Sequence, residues 1–248
     1  MGKEMISDHY EVLRKNKTTF WWFLSRRELF IAILSKFLKR KFDMGIDIGC
    51  GPLTNESLYK DFAENWFALD YSKKSFEEIP RKKFFEPIIA DVHFLPLKDQ
   101  SIEICFLLDV LEHIENEKEV LSEIVRILKK DGLLLLSVPA FNILWSFHDE
   151  QAGHKRRYTK KMLLNLSEEA DFEVLFLTNF NATLFLPILI IRKILKITSK
   201  GENVLEIKLS PKILNRPLCF LLKLENFINL RVLKIPFGTS VVALLRKK

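Results

Sequence analysis

Ile46-Asp47-Ile48-Gly49-Cys50-Gly51-Pro52-Leu53 carries an apolar strand, Met44 to Ile48, straight into a glycine-punctuated turn, with a helix expected from Thr54. Gly49 and Gly51 lack a Cβ, so the chain can turn sharply there and lie close to a ligand. The following helix would present free N–H groups and the positive end of its dipole, which favour a carboxylate or phosphate. Glycine pairs also occur at ordinary turns, so the downstream spacing decides. Trp66-Phe67-Ala68-Leu69 reads as a second buried strand ending on Asp70, 19 residues beyond Gly51. A dinucleotide-type fold places its ribose-binding acid at an interval of about 20.

Two further apolar runs end in the same way, Pro87 to Ala90 on Asp91 and Ile102 to Leu108 on Asp109. One such Asp reads as a cap for the next helix. Three in succession behind a glycine turn describe a parallel sheet that presents acids at its carboxyl edge, where ligands bind.

The stretches 46–51, Ala68-Leu69-Asp70-Tyr71-Ser72 and Asp109-Val110-Leu111-Glu112-His113-Ile114 closely resemble class I S-adenosylmethionine-dependent methyltransferases. The likeness extends through Ala90-Asp91-Val92, Leu95-Pro96-Leu97 and Leu128-Lys129-Lys130-Asp131-Gly132, and covers about residues 40 to 180. It implies an α/β fold: a Rossmann-like, doubly wound sheet of seven strands, mostly parallel with an antiparallel last strand. The family commonly has a third glycine where this chain has Leu53. By the resemblance, Asp47, Gly49, Cys50 and Gly51 would line the amino-acid moiety of S-adenosyl-L-methionine. Asp70 would take the two ribose hydroxyls, with Tyr71 near the adenine. Asp91 would accept from the adenine amino group beside the Val92 backbone, and Leu108 and Asp109 would floor the pocket under the sulfonium. A dehydrogenase is disfavoured, because the loop lacks the helix-packing glycine of G-x-G-x-x-G.

Composition agrees with an intracellular enzyme. The 248 residues suit one domain with an elaboration. Cys50, Cys105 and Cys219 are widely spaced and odd in number, which gives neither a disulfide framework nor a metal cluster, and no metal ligands are expected. Met1 to Lys17 is polar and charged, so no signal peptide is expected and a cytoplasmic location is. Charge is uneven: residues 1–42 hold 10 basic and 4 acidic side chains, and residues 181–248 hold 13 and 3. Residues 43–180 hold 16 and 25, so basic ends flank an acidic body. Such ends suit an anionic partner, although solvated lysines on helix faces give the same count.

The expected organisation is an N-terminal helical cap (1–42), a cofactor-binding core (43–180), a helical insertion (181–236) and a last core strand (237–248). Strand six, Glu173 to Phe180, and strand seven, Ser240 to Leu245, stand roughly sixty residues apart, where the family has a short hairpin. The insertion holds the apolar runs 184–191 and 218–224 with Arg192-Lys193 beside the first. Neither reaches the roughly 18–20 residues of a membrane span. Basic edges suit helices lying on an anionic membrane surface, peripheral at its inner face; a lid of two helices packed on each other is the other reading. In the cap, Phe20-Trp21-Trp22-Phe23 and Arg26-Arg27 precede an apolar helix from Leu29 to Leu38. Related enzymes cover the cofactor with such a segment, so Trp22 would cap it and Arg26 would pair with its carboxylate. An amphipathic helix packed on the sheet edge accounts for the same residues.

The loop after strand five gathers Trp145, His148, Asp149, His154, Arg156, Arg157 and Tyr158 at the cofactor edge. Methyl transfer is an in-line displacement at a sulfonium, so positioning supplies much of the rate. A base helps where the acceptor is a hydroxyl, and His suits that near neutral pH. His148 or His154 is the candidate base, with Asp149 orienting it. Arg156 or Arg157 would hold an anionic acceptor, with Tyr158 beside them. A helix-start network without catalytic duty is the alternative for each.

Nucleic acid is a poor acceptor here. Base amino-methylation needs an Asn or Asp-Pro-Pro-aromatic motif after strand four, where this chain has Leu-Leu-Asp-Val-Leu-Glu, and the active loop lacks the Cys of pyrimidine methylation. A ribose hydroxyl stays formally open. The expected function is methyl transfer to a small or lipid-linked acceptor, at oxygen. The alternative is a catalytically silent partner or regulatory protein on the same fold.

Overall fold

Apolar runs bounded by glycine, proline and aspartate become strands in the computed structural model, which describes residues 7–77, 84–198, 212–232 and 234–248. The strands are β1 (Phe42–Ile48), β2 (Ala63–Asp70), β3 (Phe85–Ile89), β4 (Ile102–Leu108), β5 (Leu128–Pro139), β6 (Phe172–Phe180) and β7 (Ser240–Lys247). They form one sheet in the order β3-β2-β1-β4-β5-β7-β6. The pairings from β3 through β5 are parallel, and β7 runs antiparallel to both β5 and β6. The strand order therefore reverses between β1 and β4, the switch point at which open α/β sheets bind ligands. Every residue of β4 is buried, because helices cover both faces. Even Glu103 is inside, where its carboxylate accepts the Asp43 N–H at 2.6 Å.

Helices α3 (Glu56–Phe62), α4 (Glu117–Ile127), α5 (Phe147–Ala152) and α6 (Lys160–Glu169) lie within the core region. Val120, Leu121, Ile124 and Ile127 repeat at helical spacing, so α4 turns one apolar stripe to the sheet. They join Ile46, Ile48 and Leu136 in one layer of the core. On the other face, Leu29, Phe30, Ile33 and Leu34 pack with Leu58, Tyr59, Trp66 and Phe106.

Ahead of β1 stand α1 (Ser7–Asn16) and α2 (Trp21–Phe37). Helix α2 starts eight residues before the expected Leu29, so the aromatic cluster and Arg26 lie inside it rather than in a leading loop. Between β6 and β7 stand α7 (Phe185–Thr198) and α8 (Asn215–Arg231). Residues 1–6 of the expected cap, and 199–211 and 233 of the expected insertion, lie outside the described residues. Helix α8 packs along α2, with Leu222 among Phe20, Trp21 and Phe23. Helix α7 packs over the turn Asn142–Leu144, and Arg192 donates to the Leu144 carbonyl.

The faces of α8 are inverted relative to an ordinary surface helix. Its buried side carries Glu225, Asn226 and Asn229 besides Leu222. Glu225 accepts the Ala182 and Thr183 N–H groups, both at 2.8 Å, and the Thr183 hydroxyl at 2.9 Å. Asn226 donates to Ser25 O at 3.1 Å, and Asn229 donates to Asn179 O at 2.6 Å while accepting from Thr178. Its outward side carries Phe220, Leu221, Leu224, Phe227 and Ile228, with Phe220 71% exposed.

The inversion makes a stability prediction. Glu225→Ala strips acceptors from buried donors and should cost about 2–3 kcal/mol. Phe227→Ala removes an outward ring and should stay within about 0.5 kcal/mol. Urea unfolding of both variants beside wild type checks this; equal losses would mean that α8 is oriented otherwise.

Candidate functional site

The carboxyl ends of β1, β2, β4 and β5 meet over the switch point. The turn after β1 needs glycine twice. Gly49 (φ +69°) bonds Leu69 O through its N–H, and a Cβ there would lie 2.3 Å from the Val110 side chain. Gly51 (φ +51°) faces open space, with nothing within 4 Å of where a Cβ would stand. Leu53, at the family's third glycine position, keeps a left-handed backbone (φ +55°) and is fully buried. Its packed side chain offsets a backbone cost of about 1–2 kcal/mol.

Asp47 lies under this turn, fully buried. Oδ2 accepts the Tyr59 hydroxyl at 2.8 Å and the Asn55 amide at 3.4 Å, whereas Oδ1 is buried without a partner. Burial pushes its carboxyl up to about 7, against the pull of the Tyr59 and Asn55 hydrogen bonds. Cys50 is buried, and burial, with Asp47 next, raises its thiol well above the ordinary value. Asp70 ends β2 with each oxygen tied to backbone, Oδ2 to Gly51 N and Oδ1 to Ser72 N, both at 2.9 Å. A carboxylate has about four acceptor positions. Two remain after these bonds, on oxygens that can no longer rotate. Asp91 is exposed at the next strand end, where the His93 backbone N–H, followed by its side chain, holds the carboxyl below the usual range against desolvation. Val92 is half-buried beside it, and Tyr71 is exposed.

Leu108 is buried at the end of β4, and Asp109 follows in a left-handed turn (φ +58°). Asp109 accepts the Ser137 hydroxyl at 2.9 Å and forms an ion pair with Arg26 from α2. The Arg26 guanidinium stacks 4.0 Å from the Trp22 ring centroid. Arg26 is buried and engaged with Asp109, so this structure gives its expected pairing with a cofactor carboxylate no direct geometry. Lys17 donates to the carbonyls of Pro52 and Leu53, both at 3.2 Å, which ties the cap to the glycine loop.

The loop after β5 is organised by Asp149, which is fully buried. Arg157 donates Nε to Oδ1 at 2.8 Å and a second nitrogen to Oδ2 at 3.0 Å, a bidentate pair. His154 Nδ1 lies 2.8 Å from Oδ1, and Ser146 donates its backbone N–H to Oδ2 at 2.9 Å. Against the upward push of burial, these hydrogen bonds and the Arg157 charge hold Asp149 well below the usual carboxylate range. His148 is half-buried on α5, its ring centroid 6.1 Å from that of His154.

Two residues expected at a substrate are sited otherwise. Arg157 is buried and also donates to Ala140 O, so its guanidinium is committed to the fold. Tyr158 lies in the core and bonds Leu111 O and Glu117; burial, then Glu117, keeps its phenol neutral far above the ordinary range. Arg156 bonds Glu117 at 2.6 Å and Glu115 O at 3.1 Å, partly exposed. Sequence reasoning missed Glu112, which the structure buries beside His113 and His154.

A mostly parallel seven-stranded sheet with an antiparallel β7, a glycine loop after β1, acids near the ends of β1 and β2 and one just after β4 is the Rossmann-like methyltransferase fold. Residues 46–136 match the family described as "Methyltransferase domain". The chain is 28% identical over 135 residues to a protein of Mycolicibacterium smegmatis named "Probable S-adenosylmethionine-dependent methyltransferase", covering 52% of this chain and 51% of that one. It is 25% identical over 166 residues to the malonyl-[acyl-carrier protein] O-methyltransferase of Hamiltonella defensa, covering 59% and 64%. A solved S-adenosylmethionine-dependent methyltransferase from Archaeoglobus fulgidus superposes with a TM-score of 0.54 at 18% identity, covering 89% and 94%. The chain spans about half the length of the first curated relatives it matches. The match over residues 46–136 and these relatives support a class I S-adenosylmethionine-dependent methyltransferase domain and imply S-adenosylmethionine as its cofactor. The site fits that group: the unpartnered Asp47 Oδ1 suits a cationic amino group, the space at Gly51 an approaching chain, and the fixed Asp70 oxygens a pair of hydroxyls.

Asp47 makes the cofactor-free protein pH-sensitive. Its carboxyl is raised in the fold, so between about 4 and 7 the native state holds a proton that the unfolded chain has lost. Stability should therefore fall as pH rises through that window, by up to about 1.4 kcal/mol per unit from this group. Asp47→Asn should flatten the slope, as read by thermal unfolding from pH 4.5 to 7.5. An unchanged slope would mean that Asp47 is ionised throughout.

Proposed function

We propose that the protein transfers a methyl group from S-adenosylmethionine to an oxygen of a lipid-linked acceptor at an anionic membrane surface. The observation that carries this is α8, whose polar side is spent on buried hydrogen bonds while Phe220, Leu224 and Phe227 face outward. Leu186, Ile190 and Ile194 of α7 are exposed as well. Lys193, Arg216, Lys223 and Arg231 stand exposed around these residues. An apolar face rimmed with cations suits the interface of an anionic bilayer. Among the described residues no helix is long and apolar enough to cross a membrane. The kinship to a malonyl-[acyl-carrier protein] O-methyltransferase supports oxygen as the acceptor atom and a carrier-borne substrate.

When bound, the cofactor supplies an electrophilic methyl group on its sulfonium. Asp70 holds hydroxyls with two fixed oxygens, and Asp47 offers Oδ1 to a cation. Arg26 and Trp22 in α2 close over Asp109 and keep water from the reacting face. The acceptor hydroxyl gives its proton to His148 or His154, and Asp149 fixes the His154 ring through Nδ1. Arg156 remains the cation for an acidic acceptor group, in exchange for its bond to Glu117.

Labelled methyl transfer from S-adenosylmethionine into lipid extract tests the reading. Wild type should label a lipid, and Asp70→Ala should lose cofactor binding by calorimetry. His148→Asn or His154→Asn should lower turnover about 10²–10⁴-fold with cofactor affinity intact. Full turnover in both His variants would remove the base. Cofactor binding with no acceptor in any extract would favour a silent partner protein.

The membrane half has its own measurement. Wild type should sediment with anionic liposomes at low salt and stay in solution with neutral ones. The double substitution Phe220→Glu and Phe227→Glu should abolish sedimentation while leaving thermal stability unchanged. Wild type that ignores anionic liposomes would end this half.

A further inference from the structure

Glu112 and His113 leave β4 in the turn Leu111–His113, and His154 reaches them from beyond α5. One carboxylate oxygen of Glu112 and one nitrogen of each histidine lie within 4.8 Å of one another. Glu112 Oε1 is 3.9 Å from His154 Nε2, and the two imidazole centroids are 4.8 Å apart. Glu112 is 1% exposed, and its Oε2 is buried without a partner. A buried carboxylate oxygen with nothing to accept is costly to maintain.

The two rings are held from behind. His154 gives Nδ1 to the buried Asp149 carboxylate, so Nε2 is the nitrogen turned toward Glu112. The backbone of Ala152 and of Gly153 hydrogen-bonds the His113 ring. A carboxylate or carbonyl behind an imidazole is the arrangement that orients metal-binding histidines. Two histidines and a glutamate are the protein ligands of an open zinc site. Ligand atoms of a tetrahedral zinc stand about 3.4 Å apart at metal–ligand distances of 2.0–2.2 Å. The present separations close to that with side-chain shifts of about 1 Å.

We propose that Glu112, His113 and His154 form a site for a divalent transition cation of the zinc class, with Asp149 as its positioning residue. Three protein ligands leave one coordination position open. That position lies at the carboxyl edge of β4, three residues from Asp109. There the cation would take an acceptor oxygen as a Lewis acid and lower the pKa of its hydroxyl. With Nε2 of His154 on the metal, the departing proton goes to His148. The cation's part in turnover rests on the methyl-transfer reading above; its binding does not.

The test is therefore binding. Chelator-treated wild type is titrated with zinc chloride by calorimetry and with cobalt chloride by visible absorption, without cofactor or acceptor. The expected result is one equivalent bound, with the absorption of a four-coordinate cobalt site. Glu112→Gln, His113→Ala and His154→Ala should each weaken zinc at least 10-fold, and Asp149→Asn about 10–100-fold by loosening the His154 ring that it orients. His93→Ala, at the exposed Asp91–His93 pair, should leave the titration unchanged. Circular dichroism of each variant separates ligand loss from unfolding, and near-isosteric Glu112→Gln keeps the test valid if a histidine variant fails to fold. No stoichiometric binding by folded wild type, or equal binding by Glu112→Gln, would overturn the site whatever the protein methylates.

Discussion

Val110 fills the space that a side chain on Gly49 would need, and the carboxyl edge of the sheet is arranged around that contact. A Cβ on Gly49 would stand 2.3 Å from Val110 Cγ2, so the loops leaving β1 and β4 interlock at the switch point. Just before Val110, Asp109 turns left-handed, with φ +58°. The turn delivers its carboxylate to Ser137 and Arg26, and Arg26 in turn fixes α2 over the cleft. On the other side, the β1 turn presents Gly51 N to Asp70, which aligns the end of β2. A single steric constraint thus connects the glycine loop, the acid at β2, the acid at β4 and the helical cap.

A second constraint is electrostatic. Asp149 is fully buried and negatively charged, so the loop after β5 must bring charge and hydrogen bonds to it. Removing one member of a buried ion pair costs about 3–5 kcal/mol, because the other stays charged without compensation. Arg157 answers with two bonds, and the backbone of Ser146 and the ring of His154 supply the rest. Satisfying one aspartate therefore decides where His154 stands, and Tyr158, one residue past Arg157, is carried into the core. The same geometry that stabilises the loop points Nε2 of His154 at Glu112.

The sheet was legible because its signals are local. A buried parallel strand reads as a continuous apolar run, and each such run here stops at a residue that must meet the ligand edge. Asp70 is singled out by its spacing from Gly51, and Asp109 by the apolar run that it ends. Arg157 and Tyr158 misled, because polar residues on a loop read as exposed, whereas burial depends on a partner eight residues away for one and forty-one away for the other. Helix α2 began earlier than its apolar stripe, since Trp21 and Phe23 pack against Leu222 of α8 about 200 residues later. The grouping of Glu112, His113 and His154 is likewise a product of the fold, joining two loops that no sequence interval connects.

Helix α8 buries polar side chains and leaves much of its apolar side outward. Glu225, Asn226 and Asn229 face inward beside Leu222. The reason is that β6 and the start of α7 expose backbone groups that need partners: Glu225 accepts Ala182 and Thr183 N–H, and Asn229 donates to Asn179 O. Leaving such groups unpaired under a helix would cost about 1–3 kcal/mol each. Leu222 secures the helix against α2, and little of its apolar surface is needed for the fold. Phe220, Leu224 and Phe227 stay exposed among the described residues, because the hydrogen bonds made by Glu225, Asn226 and Asn229 set which side of the helix faces the fold.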